Sequence, residues 1–262
     1  MDLGPRVVEN QSEALKPMRG IFLRMAGLYS QPQQQDEYYV EQQSWGKSMY
    51  EIVPGTHVSF QTERQHVDIL TNPTFGRMLF LDGVLQSATS DEKIYHKTMV
   101  EFAGPSPVDE PKILILGGAE GALAREVFAA YKPCLEVTMV DWDEALVANC
   151  KDEENWNPEA FRDPRLHLLF EDVFGFLKQP HPSKFYDIVF IDLLDVNSLE
   201  DIVKMQKLIL LLQKVLTSPK ASTIVLNAGQ NKHTAELLAD GMGCVKGVFV
   251  PSFQEMTYFV KI

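Results

Sequence analysis

Three aspartates in the second half of the chain each follow a short apolar run: Asp141 after Met139-Val140, Asp172 after residues 166–170, and Asp192 after residues 188–191. A carboxylate in such a place can accept hydrogen bonds from sugar hydroxyls, hold an amine or take a proton. Upstream, the apolar run 113–116 leads into Gly117-Gly118-Ala119-Glu120-Gly121-Ala122. Small residues there let the backbone approach a ligand, and the helix start that follows offers free N–H groups. Asp141 lies twenty residues beyond Gly121. At that spacing an acid ending the second strand can accept from both ribose hydroxyls. The turn lacks the G-x-G-x-x-G spacing of dinucleotide enzymes, so turn and acid together favour an adenosyl ligand over NAD. A glycine turn alone, or one strand-end acid alone, is ordinary structure. Three acids in register with the turn carry the functional reading.

Such groups converge only if strands and helices alternate. Strand patterns at 113–116, 135–140, 166–170, 188–191, 223–226 and 257–260 are separated by helical stretches such as 122–131, 144–150 and 199–216. That alternation predicts an α/β fold with a Rossmann-like, doubly wound, mostly parallel sheet, similar to class I methyltransferases, over residues 103–262. Before it, residues 38–102 predict a small antiparallel β domain with a linking helix over 91–102. Asp82-Gly83 between apolar runs is the hairpin signal there. Residues 1–37 show no strand pattern and predict an arm with one helix around 15–29.

Composition narrows the classes. Thirty-six acidic against 24 basic residues give a net charge of −12, which argues against nucleic-acid binding, because phosphate contacts need clustered Lys and Arg. The acidic balance suits a cationic small molecule. Three spaced cysteines with no C-x-x-C pair predict neither a disulfide framework nor a thiolate metal site. His57, His66, His167, His181 and His233 show no ligand spacing, so no metal is expected. The absence of a signal peptide or of an apolar run long enough to span a bilayer predicts a soluble, cytoplasmic chain with no membrane partner.

From Gln65 onwards the chain resembles the polyamine aminopropyltransferases, the spermidine and spermine synthases. The residues carrying the resemblance are the segment Phe75 to Gln86, then Asp91-Glu92, Tyr95-His96, the glycine turn, and the Asp172 and Asp192 strand ends. Val250-Pro251-Ser252-Phe253-Gln254-Glu255 is closer to the spermine-synthase element. Two departures stand out: Glu120 replaces the family aspartate, and Phe253 a tyrosine.

The resemblance implies roles. Gln65, Gly117, Gly118, Glu120, Asp141, Asp172 and Val173 would hold the nucleoside donor. Asp192 would be the catalytic proton acceptor. Tyr95, His96, Glu120, Asp195, Phe253 and Glu255 would bind the polyamine. The implied reaction transfers the aminopropyl group of decarboxylated S-adenosylmethionine, a co-substrate, to a polyamine, and needs no prosthetic group. Spermidine is the favoured acceptor and putrescine the second, with methylthioadenosine released. A homodimer is implied. The alternatives are an S-adenosylmethionine-dependent N-methyltransferase of a small amine, or a catalytically weak regulatory paralogue.

Overall fold

Asp82 and Gly83 both take positive φ, 48° and 83°. A two-residue hairpin turn needs this conformation to match the twist of its strands. The turn joins β5 (Gly76–Leu81) to β6 (Val84–Ala88) with Leu81 opposite Val84. These strands complete an antiparallel four-stranded sheet with β3 (Val58–Gln61) and β4 (His66–Asn72), in sequence order. At the β4–β5 turn, the Asn72 side chain accepts the Thr74 and Phe75 N–H groups. A separate antiparallel pair, β1 (Tyr38–Gln43) and β2 (Gly46–Glu51), precedes this sheet.

This computed structural model describes residues 37–43, 46–134, 136–151, 156–179, 185–193, 196–218, 221–239 and 243–262. Residues Tyr38–Ile262 form one compact unit. The helix expected around 15–29 lies outside the described residues.

Helix α1 (Glu92–Ala103) leads into the large sheet. Its seven strands are β7 (Lys112–Gly117), β8 (Glu136–Asp141), β9 (Leu166–Phe170), β10 (Ile188–Asp192), β11 (Thr223–Asn227), β12 (Cys244–Val250) and β13 (Glu255–Lys261), ordered β12-β13-β11-β10-β7-β8-β9. β7 to β11 are mutually parallel, and β13 runs antiparallel to both neighbours. This is the doubly wound sheet that the sequence predicts. Helices α2 (Ala122–Ala130), α3 (Glu144–Cys150), α4 (Pro158–Phe161), α5 (Val173–Lys178), α6 (Leu199–Leu212) and α7 (Lys232–Ala239) follow in the crossovers.

A central parallel strand is covered on both faces, so its residues read as one apolar run. In β7, Ile113 and Ile115 join the core under α1 and α2, whereas Leu114 and Leu116 join the core under α5, α6 and α7. All four are fully buried. The sequence pattern did not reveal β12, α5 or α7. β12 is an edge strand with mostly exposed residues and an internal Gly247, so it has neither an apolar run nor a clear alternation.

Gly117 closes β7 with φ 88°, hydrogen-bonded in register beside Asp192 of β10. A Cβ on Gly117 would run into the Asp192 backbone carbonyl, whereas one on Gly83 would meet open space. Gly83→Ala should therefore cost only its left-handed backbone, about 1–2 kcal/mol. Gly117→Ala adds overpacking to that and should cost about 2–5 kcal/mol. Urea unfolding of both variants checks this: equal losses would show that the β7–β10 approach is not the constraint.

Candidate active site

A cavity of about 960 Å³ opens where the strand order turns back between β7 and β10. In open α/β sheets, ligands bind outside the carboxyl ends of strands at such a point. Its wall takes Gly117 and Gly118 from the turn after β7, Asp141 from β8, Asp172 and Val173 from the start of α5, and Asp192 from β10. The small sheets add Glu41 and Gln86, the residue before β4 adds Gln65, and α1 adds Tyr95 and His96. Carboxylates dominate its charge: Glu41, Glu120, Asp141, Asp172, Asp192 and Asp201 face the cations His96 and Lys204.

Asp192 is held by two consecutive residues of α1. The Tyr95 hydroxyl donates to Oδ1 at 2.6 Å, and His96 Nε2 lies 3.4 Å from Oδ2. The same Nε2 is 3.2 Å from Glu120 Oε1. The other ring nitrogen, Nδ1, lies 2.8 Å from the Glu92 carbonyl, which fixes the ring and makes Nδ1 the donor. Burial alone would lower the His96 pKa, but its contacts with Asp192 and Glu120 overcome that and raise it to about 10. The ring is set between two carboxylates that favour its protonated form. His96, Glu120 and Asp192 each bring a donor atom within 4.8 Å of the others. This is a metal-type donor set that sequence spacing did not reveal, because its members lie on three separate elements.

Asp141 ends β8 and accepts the Asp143 backbone N–H at 2.9 Å. Burial, reinforced by the charges of Glu120 and Asp143, pushes its pKa up to about 6 despite that hydrogen bond. Asp143, which the sequence reading missed, is the organising acid behind it. Its carboxylate takes the Thr62 hydroxyl at 2.7 Å, the Gln65 side-chain amide at 2.9 Å and the Leu146 N–H that starts α3. Gln65, just before β4 of the small sheet, is therefore oriented by the acid that starts α3. Asp172 caps α5 by accepting the Gly175 N–H at 2.8 Å while facing the cavity.

A second buried network supports the glycine turn. Glu92 accepts from Trp156 Nε1 at 2.8 Å and pairs with Arg125, which also donates to Asn157. Asn157 in turn donates to the Glu120 carbonyl at 3.3 Å.

The C-terminal segment reaches the cavity through Asp91, whose carboxylate accepts the Ser252 N–H at 2.6 Å and hydroxyl at 3.0 Å. This seats Phe253 in the wall. Glu255 begins β13 opposite Val250 and does not line the cavity. Asp195 lies outside the described residues. Glu41, also missed, is a buried carboxylate in the wall that accepts the Leu85 N–H at 2.9 Å and the Tyr50 hydroxyl at 3.0 Å. Away from the cavity, His57 and His66 both approach Asp68, at 2.8 and 3.4 Å.

The fold and cavity define a Rossmann-like α/β protein with an acid-lined cleft at the carboxyl ends of its strands. Residues 92–259 match the model of the spermine/spermidine synthase domain, and residues 59–89 that of the spermidine synthase tetramerisation domain. The chain belongs to the spermine/spermidine synthase family. A polyamine aminopropyltransferase 1 of Hyperthermus butylicus is 33% identical over 213 residues, covering 76% of this chain and 72% of that protein. A polyamine aminopropyltransferase 2 of Pseudomonas aeruginosa is 42% identical over 138 residues, 52% of this chain but only 38% of that protein. The match thus spans less than half the length of the Pseudomonas relative. Among solved structures, a spermidine synthase from Thermotoga maritima superposes with a TM-score of 0.71 at 18% identity, covering 90% of this chain and 82% of that one. A spermidine synthase in complex with the transition-state analogue AdoDATO gives 0.74 at 17% identity, covering 90% and 83%. At that identity the likeness establishes the fold.

The raised pKa of Asp141 has a stability consequence. Between the ordinary carboxylate pKa and about 6 the folded state holds a proton that the unfolded state has lost, so stability falls as pH rises through that window. Asp141→Asn keeps the acceptor for the Asp143 N–H without the buried charge. It should be more stable than the wild type at pH 8, by about 2–3 kcal/mol, and nearly equal to it below about pH 4. Denaturant titrations at the two pH values check this, and an identical difference at both would mean that the carboxylate is not strained by burial.

Proposed function

We propose that the chain is an aminopropyltransferase, moving the aminopropyl group of decarboxylated S-adenosylmethionine to a polyamine. The observation that carries this reading is Asp192, a carboxylate at the strand switch point, aimed by Tyr95 and His96 into a cavity whose charge is mostly negative. An ammonium acceptor is attracted to such a wall and must lose a proton before it can react. Asp192 accepts that proton. The freed lone pair attacks the carbon beside the sulfonium, the C–N bond forms as the C–S bond breaks, and the electron pair stays on sulfur as methylthioadenosine leaves. Asp141 and Gln65 face the ribose, Asp172 and the Val173 backbone the base, and Glu120 the donor's amine. Holding both reactants in line is the larger part of the rate gain.

Spermidine is the acceptor favoured over putrescine, because its extra ammonium needs a second carboxylate along the groove. Glu41, buried in the wall beside Leu85 and Tyr50, supplies one. Glu255 joins the cavity only if its segment shifts. A methyltransferase is the weaker reading. The carboxylate of S-adenosylmethionine would enter a wall that already carries six acids. A homodimer or larger homo-oligomer built on the small β sheet completes the proposal, since residues 59–89 match a tetramerisation model.

Asp192→Asn should lower kcat by roughly 10²–10⁴, as expected for loss of a general base, with donor binding nearly unchanged. Release of methylthioadenosine, followed by chromatography with putrescine, spermidine and spermine in parallel, measures this. Near-normal turnover would remove Asp192 from the base role. In the same assay Glu41→Gln should reduce the spermidine preference in kcat/KM by about tenfold, equivalent to part of a charge-assisted hydrogen bond. An unchanged ratio, or a larger effect of Glu255→Gln, would place the distal-amine acid elsewhere.

A further inference from the structure

His96 Nε2 faces two carboxylate oxygens, at 3.2 and 3.4 Å, and a ring nitrogen has only one N–H to give. Both distances exceed the roughly 2.7–2.9 Å of a well-formed charge-assisted N–H···O bond. The two separations from Nε2 do match another arrangement, and the Glu120 and Asp192 oxygens lie within 4.8 Å of each other. In a tetrahedral zinc site with bonds of about 2.0–2.1 Å, neighbouring donor atoms lie about 3.3–3.4 Å apart. We propose that His96 Nε2, Glu120 and Asp192 form an inhibitory site for a divalent transition-metal ion, with zinc the best fit and the fourth position open to the cavity.

The surroundings of the three donors support this. A metal-bound histidine usually gives its other ring N–H to a carbonyl or carboxylate, which sets the tautomer. Here Nδ1 is already fixed on the Glu92 carbonyl at 2.8 Å. A ligating carboxylate is usually hydrogen-bonded through its second oxygen, and the Tyr95 hydroxyl occupies Asp192 Oδ1 at 2.6 Å. Two carboxylates balance the charge of a divalent ion. On binding, the ion displaces the Nε2 proton to solvent, and no redox change is involved. One imidazole and two carboxylates suit zinc, cobalt or nickel, whereas magnesium prefers an octahedral all-oxygen shell. The bound ion would occupy Asp192, so that substrate and metal exclude each other. This blocking role rests on the proton-acceptor role proposed for Asp192, but the binding itself does not.

The test is a titration of the full chain with CoCl2, read by visible absorption, with ZnCl2 in equilibrium dialysis. One equivalent of Co²⁺ should give the ligand-field bands of a four- or five-coordinate ion with no thiolate charge-transfer band, which separates this site from the exposed Cys244. His96→Gln and Glu120→Gln should each weaken binding by at least tenfold, since loss of an outer-shell partner alone costs roughly 10–100-fold. Circular dichroism confirms that each variant is folded, and the Glu120 variant stands alone if the buried His96 change unfolds the chain. The double variant His57→Ala/His66→Ala should bind as the wild type does. The proposal fails if Co²⁺ binding survives Glu120→Gln, vanishes in the His57/His66 variant, shows a thiolate band or is absent at millimolar Co²⁺. Because neither donor nor acceptor is present, these outcomes leave the aminopropyl reading untouched.

Discussion

A carboxylate at the end of a buried parallel strand needs donors, and Asp192 takes them from adjacent positions on one helix. Tyr95 reaches one oxygen and His96 approaches the other. That requirement fixes much else. It presses α1 against the carboxyl edge of the sheet, where Asp91 at the helix start captures Ser252 and brings Phe253 into the wall. The β7–β10 register sets Gly117 directly beside Asp192, where any side chain would meet the neighbouring backbone. The first glycine of the turn therefore serves sheet geometry.

Asp141 in the cavity wall and Asp91 behind it are held at a cost to stability. Burial raises the pKa of Asp141, and of Asp91 as well, against the hydrogen bonds each accepts. Such strain is typical of sites selected for ligand affinity rather than for fold stability. His96 stands between two further acids, Glu120 and Asp192. The same placement sets a single ring nitrogen against two carboxylate oxygens.

Local order reads well from the sequence. The Asp82-Gly83 hairpin, the strands β7 to β11 and the glycine turn each carry their signal within a few residues. The strand-end acids and Tyr95-His96 likewise stand in motifs that point to the cavity. What pattern cannot reveal is pairing across long separations. Asp143 holds Gln65 across 78 residues of chain, and Asp91 meets Ser252 across 161. Glu41 looks like an ordinary strand acid until the fold buries it beside Leu85 and Tyr50. Edge strand β12 is similar, because its exposed residues need satisfy only one neighbour.

The claim on which the rest depends is the identity of the group transferred. Mass spectrometry of spermidine incubated with the chain and either donor decides it. With decarboxylated S-adenosylmethionine, spermidine should gain one aminopropyl increment, matched by an equal amount of methylthioadenosine, and with S-adenosylmethionine it should be unchanged. A methyl increment from S-adenosylmethionine, or no product from the decarboxylated donor despite its binding, would contradict the account.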